Sequence, residues 1–489
     1  MKYLHYIYTF LFGVAVLLFF GLVYPHHLHY QEQYQLFLFD SNYVWEIVRL
    51  PGGVADLLGR FCTQFFLFAW VGAFIIAVLL SLIQLLTLRL VNWGWLYGLS
   101  FVPSFLLWIF LLDEHALLGG VWAVLLTQLA VWGLVQLKGW TQRIAIVITL
   151  FVLYWIAFGG SHYYRYPTIF PTLLYVAWAS AVILPFLVRF CQNHFSFLVP
   201  RSSLLISRSS FLVPLSSFIV VSAIMGTIVW KGANFKAEKV MQYDFMACHQ
   251  QWNRILETVN AEKPNNQIGV TVQNLALAMH GQLVNHLSDY NQNGIAGLLP
   301  DVQSDATSPL PTAEAFYQLG MIYVAQRTVF EAQEAILDFQ KSGRCYKRLA
   351  QTNLIIGSYE VARKYLMALQ KTLFYRDWAN ETLPLLGNEE AIAKHPEYGR
   401  LRQCAYKEDL TSGRVSSRSA ISSELDGSRL TGDFYFSDHT TPEMLESLYY
   451  SNPDNHVALQ YLLAYYMLTG DREGYTKLME EVRGKKDDV

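Results

Sequence analysis

The side chains in this sequence that could do chemistry gather in three short polar segments between long apolar runs. The first, from Tyr30 to Asp56, holds Glu32, Asp40, Glu46, Arg49 and Asp56. The second is the tripeptide Asp113-Glu114-His115, and the third is His162-Tyr-Tyr-Arg165-Tyr166. Carboxylates and an imidazole beside guanidinium groups are equipment for proton transfer and anion binding. The competing explanation is plain solvation, because charges are excluded from hydrocarbon and collect where water begins. Other chemistries find no support. No phosphate-binding loop, nucleophile elbow or zinc-protease signature occurs. The five cysteines, Cys62, Cys191, Cys248, Cys345 and Cys404, contain no Cys-x-x-Cys pair and read as free thiols. His26, His27 and His29 read as solvent-exposed imidazoles on a flexible flank rather than metal ligands. Asp289, Asn291, Asn293 and Gly294 imitate the start of a calcium loop, but Pro300 stands where the bidentate Glu is needed. A polar turn is expected there, and neither a metal nor a cofactor is assigned.

The elements that must position these groups are membrane helices. Of 489 residues, 53% are apolar and only 15% charged, against about 25% charged in ordinary soluble chains. About 17 of the 74 charged residues lie at or before Lys231. A span needs about 20 apolar residues, because only a helix satisfies its own backbone in about 30 Å of hydrocarbon. Seven runs qualify, near Leu4 to Tyr24, Cys62 to Leu88, Trp95 to Leu112, Ala116 to Leu137, Arg143 to Phe158, Thr168 to Phe190 and Phe211 to Trp230. With the N-terminus cytoplasmic, Lys2, Arg89, Lys138, Arg143, Arg189, Arg201 and Arg208 fall inside, against Arg49, Arg60, Arg165 and Lys231 outside. The three polar segments then lie on the outer face of a bacterial inner membrane. Tyr163, Tyr164, Tyr166, Trp93 and Trp95 fit an interfacial aromatic belt.

Beyond residue 231 the pattern changes to apolar residues spaced three and four apart, the mark of helices. The expected fold is all-α: a polytopic membrane domain of about seven spans over residues 1–231, then a periplasmic helical-repeat domain over residues 232–489. Its clearest unit is Leu349, Ala350 and Leu354, a turn at Gly357 and Tyr359, then Ala362, Leu366 and Leu369. This resembles a tetratricopeptide repeat, whose period is about 34 residues. A looser copy follows Asn452-Pro453, and further pairs fit Tyr243 to Leu287 and Pro311 to Gln340. Two interruptions are expected, a surface loop over Asp289 to Leu310 and a Ser/Arg-rich insertion over Thr411 to Gly432. A net charge of −2 without a dense basic tract excludes a nucleic-acid partner.

A cytoplasmic N-terminus, an acidic first outer loop and a second acidic group between spans three and four resemble the shared module of membrane-embedded C-type glycosyltransferases. The resemblance covers residues 1 to about 231. It implies transfer from a lipid-linked sugar, with a polyprenyl-phosphate as the membrane-lipid partner. By position it implies Glu32 or Asp40 as base toward the acceptor, Asp113 or Glu114 as second acid, and Arg49 or Arg165 as partner of the lipid phosphate. Glu32-Gln33-Tyr34-Gln35-Leu36-Phe37 and Pro51-Gly52-Gly53 also resemble a bacterial family of polytopic proteins with helical-repeat C-terminal domains, to which no activity is attached. Two readings therefore stand: an envelope glycosyltransferase, or a non-enzymatic scaffold whose repeat groove holds a protein partner.

Overall fold

The computed structural model describes residues 2–90, 94–136, 170–194, 206–300, 308–336, 340–406 and 441–487, with isolated positions between 139 and 148. Among the described residues every regular element is helical. The chain divides into two compact units, Met1–Glu238 and Lys239–Val489.

In the first unit, α1 (Lys2–Leu18) continues as a π-helical turn, Phe19–Val23, and stops at Tyr24, whose φ of −136° and ψ of 43° leave helical geometry. Pro25 opens α2 (Pro25–Glu32); its missing N–H costs nothing at a first helical position. Then come α3 (Ser41–Val48), α4 (Gly53–Thr63), α5 (Ala69–Leu90), α6 (Val102–Phe110), α7 (Leu118–Gln136), α8 (Phe170–His194) and α9 (Ile206–Gly232). The helix α10 (Phe235–Cys248) begins before the unit ends.

Two expected spans are built differently from the sequence reading. Cys62 belongs to α4, and a 3₁₀ turn over Gln64–Leu67 leads to an extended Phe68, so the second apolar helix starts at Ala69. The third begins as a 3₁₀ helix, Gly94–Phe101, before α6. The fifth, near Arg143 to Phe158, lies outside the described residues apart from isolated positions. Among the described residues, three helical stretches are long and apolar enough to cross a membrane: His5–Val23, Ala69–Leu90 and Leu215–Gly232. Tyr97–Phe110, Leu118–Leu134 and Thr172–Pro185 are apolar but shorter.

This unit is apolar on its outside as well as in its core, and it buries hydrogen-bonded polar side chains within that core. Thr9 Oγ1 donates to Gln84 Oε1 at 2.6 Å, Gln84 Nε2 to Ser100 Oγ at 3.1 Å, and Gln128 Nε2 to Thr87 Oγ1 at 2.7 Å. All five residues are buried. Meanwhile Phe10 (69% exposed), Phe74 (59%), Leu187, Val220 and Ile224 point outward. Buried aromatic pairs fill the interior, with Phe12 edge-on to Phe101, Phe105 and Trp108 at 5.0–5.9 Å; such geometry suits the ring quadrupole. At Gly59 an added Cβ would come within 2.4 Å of Gly119 N, so only glycine lets α4 approach α7 so closely.

The second unit repeats one local device. Helices Gly343–Ile356 and Tyr359–Leu369 pack together around Gly357, whose φ is 86°. Pro309–Leu319 and Ile322–Ala335 do so around Gly320 (φ 94°), and His456–Thr469 and Arg472–Asp487 around Gly470 (φ 74°). A left-handed glycine ends each first helix because it adopts that conformation without a Cβ penalty. Ala350 and Ala362 are fully buried, as the sequence pairing requires. Tyr359 opens the second helix instead of forming the turn. Its hydroxyl donates to Glu389 Oε1 and accepts from Arg402 Nη2. A buried ion network joins helices of this unit: Arg348 Nη2 reaches both oxygens of Glu314 at 2.6 and 2.7 Å, Arg344 pairs with Asp244, and Tyr317 donates to Glu397.

The segment from Asp289 is more than a surface loop. Gly297, Leu298 and Leu299 are buried, and the two leucines join the core that includes Phe316 and Leu319. The calcium-loop imitation is a polar turn: Asp289 pairs with His286, Asn291 donates to the carbonyls of Lys263 and Pro264, and Asn293 to that of Asn265. Residues 301–307 and the Thr411 to Gly432 insertion lie outside the described residues.

Candidate functional site

A cavity of about 320 Å³ opens in the first unit. One wall is the turn after α6, which presents Leu112, Asp113 and Glu114. The other is the junction between α9 and α10, which presents Gly232 and Asn234; Leu173 of α8 adds apolar surface. The turn forms locally. Asp113 Oδ1 accepts the backbone N–H of His115 at 2.9 Å and lies 3.3 Å from its Nδ1. Such Asx turns arise because a short carboxylate side chain reaches the backbone two residues on. Asp113, Glu114 and His115 bring one ligand atom each within 4.8 Å of one another, a spacing that suits a cation. The pairing of His115 with Asp113 already accounts for part of that closeness. His115 is held above the usual imidazole value: burial would lower it, but the neighbouring Asp113 and Glu114 outweigh burial.

Beside this cavity lies a buried titratable cluster. Tyr24 Oη accepts the backbone N–H of Asn234 at 3.1 Å. His27 is fully buried, and its Nε2 lies 2.9 Å from the carbonyl of Leu111; against a carbonyl that nitrogen must carry the proton. Burial pushes its pKa down to about 4, against the opposing pull of Leu111 and Asp113. Glu238, on the first turn of α10, is buried and accepts the backbone N–H groups of His26 and His27, each at 2.8 Å. Its carboxyl is pushed up to about 7 by burial, although the two amides favour the charged form.

The candidate site residues separate. Asp113 and Glu114 share the cavity wall. Glu32 is buried at the end of α2 and engaged with neighbouring groups. Asp40 caps α3, its Oδ1 accepting the N–H groups of Asn42 and Tyr43 at 3.0 and 3.2 Å. Arg49 is exposed at the other end of α3, and Arg165 lies outside the described residues. Arg60 is engaged by Asp56 at 2.7 Å. The histidines need correction: His26, His27 and His29 sit on a helix rather than a flexible flank, and His27 is enclosed. Tyr24, Asn234 and Glu238 carry no site signal in the sequence. Nothing local marks Glu238, whose partners are more than 200 residues away.

Fold and site together define an all-helical chain of two units, the first with an apolar outer surface and a carboxylate-lined cavity. The chain belongs to the family described as "Family of unknown function (DUF6057)", which matches residues 1–487. No curated protein and no solved structure matches it.

Proposed function

We propose that the chain is an integral inner-membrane protein of the bacterial envelope. In this reading the first unit crosses the membrane about seven times from a cytoplasmic N-terminus, and the second is a periplasmic, tetratricopeptide-like repeat array. The apolar exterior supports the membrane assignment: phenylalanines and aliphatics face outward while buried polar side chains hydrogen-bond between helices, an arrangement that lipid favours.

The function proposed is transfer of a sugar from a lipid-linked donor, in the manner of C-type glycosyltransferases. The observation that supports it is the pair Asp113 and Glu114 on the wall of a cavity between the ends of apolar helices. One of the two is the general base toward the acceptor hydroxyl. Asp40 is withdrawn from that role because its carboxylate caps a helix, and Glu32 ranks below the cavity pair because it is buried. Arg49 or Arg165 remains the candidate for the donor phosphate. The second reading, a scaffold that binds a protein through the repeat unit, draws on the absence of any Lys or Arg among the described cavity-lining residues.

Mass spectrometry of the purified full-length protein should detect a bound polyprenyl-phosphate lipid, and Asp113→Asn or Glu114→Gln should lower transfer by about 10²- to 10⁴-fold, the usual contribution of a general base. Absence of the lipid, or undiminished transfer in both variants, removes the transferase reading and leaves the scaffold.

A further inference from the structure

A helix that begins with Tyr24-Pro25 lacks a local cap. Tyr24 makes no side-chain cap hydrogen bond to α2, and first-turn amides have no acceptor within their own helix. Glu238 supplies one from the far end of the unit, with Oε1 on the His26 amide and Oε2 on the His27 amide, both at 2.8 Å. The rest of α2 binds the opposite wall: His27 Nε2 to the Leu111 carbonyl, and Gln31 Nε2 to the carbonyls of Asp113 and Ala116 at 3.2 and 3.3 Å. Tyr24 adds a bond to Asn234. The α2 helix is therefore bonded on one side to the Asp113–Glu114 turn and on the other to the junction that carries Gly232 and Asn234.

We propose that Glu238 is a positioning residue for the cavity, a latch that holds α2 against the start of α10 and so sets the distance between the two cavity walls. Its consequence for a substrate rests on the transferase reading, but the latch itself does not. It responds to pH. The titratable groups around it are Tyr24 at the end of α1, the imidazoles of His26 and His27 on α2, and Lys236 on its own helix; Asp113 and Glu114 face Tyr24, and Asp113 and His115 face His27. Neither Tyr24 nor the enclosed, neutral His27 supplies a positive charge. Burial thus outweighs the two amides, and the carboxyl holds its proton to about pH 7, above its ordinary value of 4.5. A group whose pKa is raised in the closed state stabilises that state below its free pKa and loses the effect as pH rises toward the raised one. The latch is firm in mild acid and loosens between about pH 4.5 and pH 7, as the open, hydrated carboxylate becomes preferred.

Hydrogen exchange tests this on the full-length protein in lipid nanodiscs, with no substrate present. After correction for intrinsic rates, protection of the His26 and His27 amides should fall by about 10²-fold from pH 5 to pH 8. Glu238→Gln keeps one acceptor and no ionisable group, so its protection should be flat with pH. Glu238→Ala should leave both amides unprotected at every pH while α5 stays protected, which shows that the unit is folded. Protection of both amides in Glu238→Ala would overturn the latch. A flat wild-type profile beside an unprotected Glu238→Ala would reduce Glu238 to a plain cap and overturn its pH response. Neither result depends on whether a polyprenyl-phosphate lipid is bound, so failure here and failure of the transferase reading can be told apart.

Discussion

Asp40 and Asp113 are both acidic residues at the edge of apolar sequence, yet they have different tasks. The carboxylate of Asp40 points back along the chain to the Asn42 and Tyr43 amides. That of Asp113 accepts the His115 amide of its own turn and borders open volume. Asp40→Ala should therefore lower stability by about 1 kcal/mol, the usual cost of losing an N-cap, and leave transfer per folded molecule unchanged. Thermal melting together with a transfer assay checks this, and a large loss of transfer at unchanged melting would return Asp40 to the site. His27 illustrates the same point in reverse. The sequence suggests an exposed imidazole there, but the ring is enclosed, with Nε2 2.9 Å from the Leu111 carbonyl.

Helices in the two units are stabilised by different means. In the second unit the glycine turns at Gly320, Gly357 and Gly470 end helices that then pack against the next helix in the chain. Ala362 is fully buried between the helix it belongs to and Gly343–Ile356. Ala362→Trp should lower the melting temperature, because overpacking a close contact costs about 1 to 3 kcal/mol. Unchanged melting would mean that the contact can spread at little cost. In the first unit the short helices α2, α3 and α4 carry the polar segment between two apolar helices. Each is held by a different device: Glu238 for α2, Asp40 for α3, and the close Gly59–Gly119 approach for α4.

For the whole molecule, the question is which face each polar segment occupies. An excess of Lys and Arg in alternate loops argues for a cytoplasmic N-terminus. On the proposed seven-span topology, a cysteine introduced at Glu114 or at Ala420 should react with a membrane-impermeant reagent from the periplasmic side, and one at Gly139 should not. Labelling at Gly139 from that side would reverse the topology and move the cavity to the cytoplasmic face.

Helical periodicity, the apolar runs and the Gly357 turn were legible in the sequence because they depend on neighbours within a few residues, where the 3.6-residue period and the conformational freedom of glycine dominate. The packing of the two helices that carry Ala350 and Ala362, and the burial of both alanines, were legible for the same reason. The break at Phe68 was not, since a continuous apolar run does not disclose where its helix starts. Nor was the burial of Leu298 and Leu299 inside a segment punctuated like a loop. The site shows the clearest division. Asp113-Glu114-His115 stood out as a lone polar tripeptide between apolar runs, but only tertiary structure placed it across a cavity from Asn234 and joined Glu238 to the amides of His26 and His27. A carboxylate becomes a buried cap with a raised pKa through groups more than 200 residues away in the chain, and no local pattern encodes that desolvation.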